Sequence, residues 1–452
     1  MFDLVLRRAQ VVTPAGTVQG SVAIQDGRIV DVVAGELSPE AREVIDAEGH
    51  HLLPGVVDIH VHFREPGQAY KATYRSESSA AAAGGVTTVC DMPNNGDQAV
   101  VDLPHFEAKR AVAAASSHVD FGIYAFLASA DEHELRGLVD AGVMGFKWDM
   151  SFAGTEIAPG RALPDPQAAL PYFRAAARVG ARVGVHAEDR PLVSRLTAAL
   201  RAAGRMDARA HVEARPVEAE VIALRQAIDL ARQSGVRLHV HHLSSAAGLE
   251  LVRAARREGL PITAETIPAF LFLDAGDYEG LGTVMKIHPS VKYAEDREAL
   301  WQGLRDGSLD CVATDHAPHT AEEKRRSVWD ASPGAIGVQT SLPLMLTAVA
   351  EGRLSLARCV ELLASAPARI YGLAPRKGAI VPGVDADLVL VDLGASFTIS
   401  NDAMYSPNHL TPFDGWRVQG KPLLTFLRGR LIARDGAIVG SPWGRLVRPL
   451  DL

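Results

Sequence analysis

Two textures of apolar and polar positions divide the chain. Residues 1–53 carry short alternating segments, Leu4-Val5-Leu6, Val11-Val12-Thr13, Ser21-Val22-Ala23-Ile24 and Arg28-Ile29-Val30. Turn signals such as Asp26-Gly27 separate them, which predicts hairpins. The stretch from 377 to 452 repeats that texture, with alternation over Ala386–Asp392, an apolar run at Leu423–Leu427 and a turn signal at Asp435-Gly436. Neither end has enough apolar surface for a core of its own. Together they predict one small composite β-sandwich domain, with the middle of the chain inserted between its halves.

The middle, 54–376, reads differently. Apolar, β-branched runs occur at Val56–His62, Thr87–Met92, Asp120–Phe126, Met144–Trp148, Val183–Glu188, Leu238–Leu243, Ile262–Ile267 and Cys311–His316. Ala-, Leu- and Arg-rich helical stretches lie between them, among them Ser76–Ala83, Leu170–Val179, Pro216–Ser234 and Ala246–Glu258. A further helical segment, Asp296–Leu304, fills the long gap before the last run. Eight strands, mostly each followed by a helix, predict an α/β fold: a parallel (β/α)8 TIM-like barrel. Gly84-Gly85 closes a helix ahead of the second strand, since no phosphate-loop pattern follows it.

Bulk properties narrow the function classes. The formal charge of −8 leaves no basic footprint for nucleic acid or for an acidic membrane surface. No run approaches the ~18 apolar residues of a spanning helix, and the first residues show no secretory pattern. Cys90, Cys311 and Cys359 lack C-x-x-C spacing, which argues against a disulfide scaffold or a zinc ribbon. A cytoplasmic protein acting on a small molecule is the expectation.

In such a barrel the chemistry sits at the C-terminal ends of the strands. The first run ends in His60 and His62, which alternation places on one face together with Arg64. The fourth carries Lys147, the fifth His186, the sixth His242 and the eighth Asp315. One such histidine would be ordinary core decoration. Six ionisable groups at the same end of five runs predict a metal centre, and four imidazoles with a carboxylate suit zinc or a similar divalent ion. Lys147 fits only if its amine is carboxylated to a carbamate; otherwise it reads as a strand-end lysine reaching for solvent. His239 and His241 alternate away from His242 and read as structural or supporting. Glu322–Arg326 reads as a solvated helix start.

These motifs resemble the cyclic amidohydrolases: dihydroorotase, allantoinase, and hydantoinase or dihydropyrimidinase. The resemblance spans nearly the whole chain. It lies in Pro54–Gly67, in Gly85–Val89, in Gly145-Phe146-Lys147, in His186-Ala187-Glu188, in His242–Ser245 and in Thr314–His319. It implies one ion on His60, His62 and Asp315, a second on His186 and His242, and carboxylated Lys147 bridging them. Asp315 would be the catalytic general base and acid. The implied reaction is reversible opening of a ring C–N amide bond, and the implied assembly a homo-oligomer, dimer or tetramer.

Substrate choice rests on the residues around those ligands. Arg64 and Asn94 resemble the pair with which dihydroorotases hold a substrate carboxylate, and His319, a further substrate-binding candidate, matches the dihydroorotase form of its motif; this favours dihydroorotate or N-carbamoyl-aspartate and a place in pyrimidine metabolism. An arginine fork in a pocket would be an uncompensated charge if the ligand carried no anion. Allantoinases and hydantoinases are the alternative. His288-Pro289-Ser290 stands where dihydroorotases carry Asn-Pro-Pro, Ala269-Phe270 where a histidine or aromatic pair is usual, and Pro412–Trp416 looks more like the other two. A silent relative serving as a scaffold would have lost ligands, whereas every ligand position here is filled. Loops at Ala153–Pro166 and Ser332–Gly337 are placed to cover the pocket.

Overall fold

A computed structural model of the chain describes residues 1–450 apart from 36, 38 and 39. Strands Phe2–Thr13, Gly16–Gln25, Arg28–Ala34, Ala41–Asp46 and His51–Pro54 come from the first texture, and Leu388–Thr398, Arg417–Leu427, Arg430–Arg434 and Ala437–Ile438 from the last. They form one nine-stranded sheet. The halves meet where His51–Pro54 pairs antiparallel with Leu388–Thr398, Leu388 opposite Pro54 and Val391 opposite His51. Asp26-Gly27 and Asp435-Gly436 both take positive φ at both residues (51° and 75°, 49° and 81°), the tight hairpin geometry their sequence predicts. Leu4, Leu6, Val22, Ile24, Leu388, Leu390 and Phe426 share one apolar cluster, so both ends of the chain enclose it.

Between these halves the eight predicted strands form a closed parallel barrel. In order they are Val56–Val61, Val86–Asp91, Asp120–Ile123 continued by Ala125–Phe126, Phe146–Asp149, Arg182–His186, Arg237–Val240, Ile262–Thr266 and Cys311–Val312. Parallel pairing runs through the first three and from Ala125–Phe126 to the last. Met144 N–H to Ile123 O (2.8 Å) bridges the gap, and His62 N–H to His316 O (2.7 Å) closes the ring. Helices cover the outside. Tyr74–Ala83 begins at a capping box of Thr73 with Ser76 and ends at Gly84, with Gly85 at φ 84°. Val217–Ser234 stops at left-handed Gly235.

The two units are tied by buried charge. Lys377, just past the last barrel helix, pairs with Asp120 (2.8 Å), Asp385 (3.2 Å) and Asp387 (2.5 Å). The C-terminal segment then lies along the third strand, with Phe121 N–H bonded to Arg445 O and Val447 N–H to Phe121 O. Cys90, Cys311 and Cys359 are buried free thiols. Among the described residues no helix is long and apolar enough to cross a membrane.

Candidate metal centre and its pocket

The C-terminal rim of the barrel brings all six predicted ligands together. His60 and His62 leave the first strand with their Nε2 atoms 3.2 and 3.1 Å from Asp315 Oδ1, at the end of the eighth. From the fifth and sixth strands, His186 Nδ1 faces His242 Nε2 at 3.1 Å. The His60 and His242 rings are 5.2 Å apart, so the two pairs adjoin. Lys147 opens into the same cavity at 2% exposure; among the described residues it has no hydrogen bond or ion pair, and it feels the charge of Asp315 only at longer range. Arg64, His242 and Asp315 have φ of 68°, 36° and 48°. Left-handed backbone at non-glycine residues costs roughly 1–3 kcal/mol each. Here it turns the strand ends so that their side chains leave simple alternation and converge.

The donor set fits a pair of divalent ions. Burial holds His60, His62 and His242 far below the usual imidazole range, hence neutral. Two carboxylates set which nitrogen stays free. Glu265 Oε1 lies 2.5 Å from His60 Nδ1, and Glu188 Oε2 lies 2.9 Å from His186 Nε2. Each fixes an N–H on its own side and leaves the other nitrogen facing the centre. His60 Nε2 is buried there without a hydrogen-bond partner. The ligand atoms of His60, His242 and Asp315 lie within 4.8 Å of one another. Burial pushes the Asp315 carboxyl up to about 7, against the pull of Lys147.

A cavity of about 580 Å³ opens beside these ligands and is lined also by Arg64, Asn94 and His319. Arg64 Nε donates to Pro318 O (2.9 Å), and no described carboxylate pairs with its guanidinium. Burial lowers its pKa to about 10, which leaves it charged at neutral pH. His319 Nε2 lies 2.8 Å from Pro333 O, while its Nδ1 lies 3.1 Å from Lys71 Nζ. That pattern selects the tautomer that donates from Nε2 and accepts at Nδ1. Arg64 Nη2, 3.0 Å from Nε2, then has no acceptor there and is free for a ligand. Asn94 Oδ1 is buried and unpartnered. Both expected loops reach the cavity: Glu156 and Ile157 line it from one, Pro333 and Gly334 from the other.

Several groups at the site escape the sequence reading. Lys71 lines the cavity beside Arg64 and pairs with Glu323 (3.2 Å). Arg215 lines the side formed by the later strands, near His288 of the segment already singled out, and pairs with Glu188. Beneath the rim, Glu265 accepts from His60, from His239 Nε2 (3.1 Å) and from His241 Nδ1 (3.1 Å). His239 and His241 therefore support the centre from inside the barrel. The signal was period two along Ile262–Thr266, which puts Glu265 on one face with Thr263. Lys324 corrects the solvated reading of its charge run: it is buried, and its ammonium donates to Lys286 O, Ser332 O and Gly334 O, fixing the second loop.

With this geometry in hand, comparison with known proteins places the chain. The amidohydrolase family model matches residues 51–432. An allantoinase of Deinococcus radiodurans is 35% identical over 456 residues, covering 100% of both chains. A dihydroorotase of Methanothermobacter thermautotrophicus is 37% identical over 441 residues, 97% of this chain and 96% of that one. The solved L-hydantoinase (dihydropyrimidinase) from Arthrobacter aurescens superposes with a TM-score of 0.95 at 33% identity, covering 99% of this chain and 100% of the other. Among the relatives, allantoinase is the more frequent name.

Proposed function

The chain belongs to the amidohydrolase family and is a cyclic amide hydrolase, and from that premise we propose that its substrate is a ring that carries a carboxylate, dihydroorotate with N-carbamoyl-aspartate as its opened form. One observation carries this reading: the Arg64 guanidinium is exposed to the cavity without a carboxylate partner among the described residues. A substrate carboxylate would take its free Nη2 and the Asn94 amide, with Lys71 adding charge behind His319. The allantoinase and hydantoinase alternative draws support from the relatives' names and from His288 in the cavity, where dihydroorotases present asparagine.

Two divalent ions, zinc in our reading, would be held by His60, His62 and Asp315 and by His186 and His242, with carboxylated Lys147 shared between them. When bound, such ions supply Lewis acidity toward the ring carbonyl and toward water. The chain's own part is positioning and proton transfer. Arg64 and Asn94 orient the ring, and Asp315 takes the proton of the attacking water and returns it to the leaving nitrogen. The division into a composite domain of 1–53 with 377–452 and a barrel of 54–376, a cytoplasmic setting and a dimeric or tetrameric state belong to the same reading.

Side-by-side assays of ring opening on dihydroorotate, allantoin and hydantoin test the substrate. Arg64→Gln should raise KM for dihydroorotate about 100-fold, the loss of a charge-assisted pair worth ~3 kcal/mol, with little change on uncharged rings. Activity confined to uncharged rings in the unaltered enzyme would refute the proposal.

A further inference from the structure

The two halves of the centre are backed by carboxylates in different electrostatic settings. Glu188, behind His186, shares its Oε2 with the guanidinium of Arg215, so its charge is compensated by a cation. Glu265, behind His60, is fully buried, and among the described residues its carboxylate is hydrogen-bonded only to imidazole and backbone N–H groups: His60 Nδ1 at 2.5 Å, His241 Nδ1 at 3.1 Å, the His242 N–H at 3.4 Å and His239 Nε2 at 3.1 Å. His239 is itself fixed, its Nδ1 2.8 Å from Thr263 Oγ1. Gly184 makes room for the His241 ring, since a Cβ there would stand 2.1 Å from its Nε2.

We propose that Glu265 is the positioning residue of the centre, and that through it the His60, His62 and Asp315 half binds its ion more tightly than the His186 and His242 half. The inference rests on the two-ion reading above. A carboxylate accepting from a ligand histidine raises the basicity of the nitrogen opposite. That effect is largest where no cation drains the charge, which is the Glu265 side. His239 and His241 hold the carboxylate so that the His60 ring has one orientation, Nδ1–H toward Glu265 and Nε2 toward the centre.

Titration of the metal-free protein with Zn2+ against a chromophoric chelator reads this directly. The unaltered protein should take up two equivalents in two steps of unequal affinity. Glu265→Gln, folded by circular dichroism, should weaken the tight step about 10–100-fold and leave the weak step in place. Glu265→Asp keeps the charge but withdraws it by one methylene, and should shift the same step; it also serves if the glutamine variant does not fold. Equal weakening of both steps, or an unmoved tight step in both folded variants, overturns the assignment. Failure of the unaltered protein to bind two equivalents would instead strike the two-ion reading itself.

Discussion

The composite sheet and the barrel are both built of buried strands, yet they fill their interiors in opposite ways. Inside the sheet the contacts are aliphatic, Leu4, Leu6, Val22, Ile24, Leu388 and Leu390 with Phe426. Inside the barrel the fully buried residues include Asp58, His60, His239, His241 and Glu265. Burying apolar area stabilises by about 25 cal/mol per Å². Burying charge costs free energy unless every group is paired, and even paired it adds little over a hydrophobic isostere. Apolar packing that stabilises the barrel lies in its outer layer, where residues such as Trp148, Phe173 and Leu224 pack between strands and helices, and in a smaller cluster with Cys90, Tyr124 and Cys311. The difference separates the two tasks: the sheet and helix layer hold the fold, and the barrel interior holds the chemistry.

Lys147→Ala would break that comparison most visibly if it failed. The substitution removes a buried amine that has no hydrogen bond or ion pair among the described residues, so folding stability should hold or rise. Activity should fall by about 1000-fold or more (~4 kcal/mol), with bound metal lost in parallel. Short carboxylates added in solution should restore part of both. A variant that keeps two tightly held ions would rule out the carbamate role. Leu6→Ala is the mirror image: a fully buried leucine of the sheet core, far from the rim in sequence, should cost about 3 kcal/mol of unfolding free energy. Metal content and KM should not move. Loss of metal at equal folded fraction would show that the two interiors are not independent.

How much of this was legible follows from the same contrast. All eight strands could be placed because apolar runs with polar, helical flanks repeat along 54–376, and the rim ligands because five of those runs carry an ionisable residue at or near the end. The inward-facing supports were not legible. Glu265 lies within a strand, one residue before its end, and nothing in Ile-Thr-Ala-Glu-Thr says that the glutamate's face is the barrel interior. Arg215 sits just past the short helix Ala210–Ala214, and only the folded chain brings it to Glu188. His242 misleads strict alternation: its φ of 36° swings it toward His186, while His241 beside it turns to Glu265. Local periodicity reports which side chains share a face; it does not report where a strand end twists out of register.

Asp58 offers the finest test of the contrast, because it is a carboxyl fully buried in the barrel. Its carboxyl accepts from Thr314 Oγ1 (2.5 Å), Thr314 N–H (3.1 Å) and His60 N–H (3.2 Å), which ties the first strand to the eighth. Burial nevertheless pushes it up to about 7, the Thr314 hydrogen bonds opposing the rise. The folded value thus lies above the unfolded one near 4, so the folded state binds the extra proton. Its contribution is fully present below about pH 4 and is lost as pH rises through about 7. Asp58→Asn removes the titration while keeping an acceptor for Thr314. Urea unfolding of the metal-free proteins should show the unaltered chain losing ~2 kcal/mol relative to Asp58→Asn between pH 5 and pH 7. A pH-independent difference would mean that the three hydrogen bonds compensate the buried charge, and that this part of the barrel interior costs no more than the aliphatic sheet.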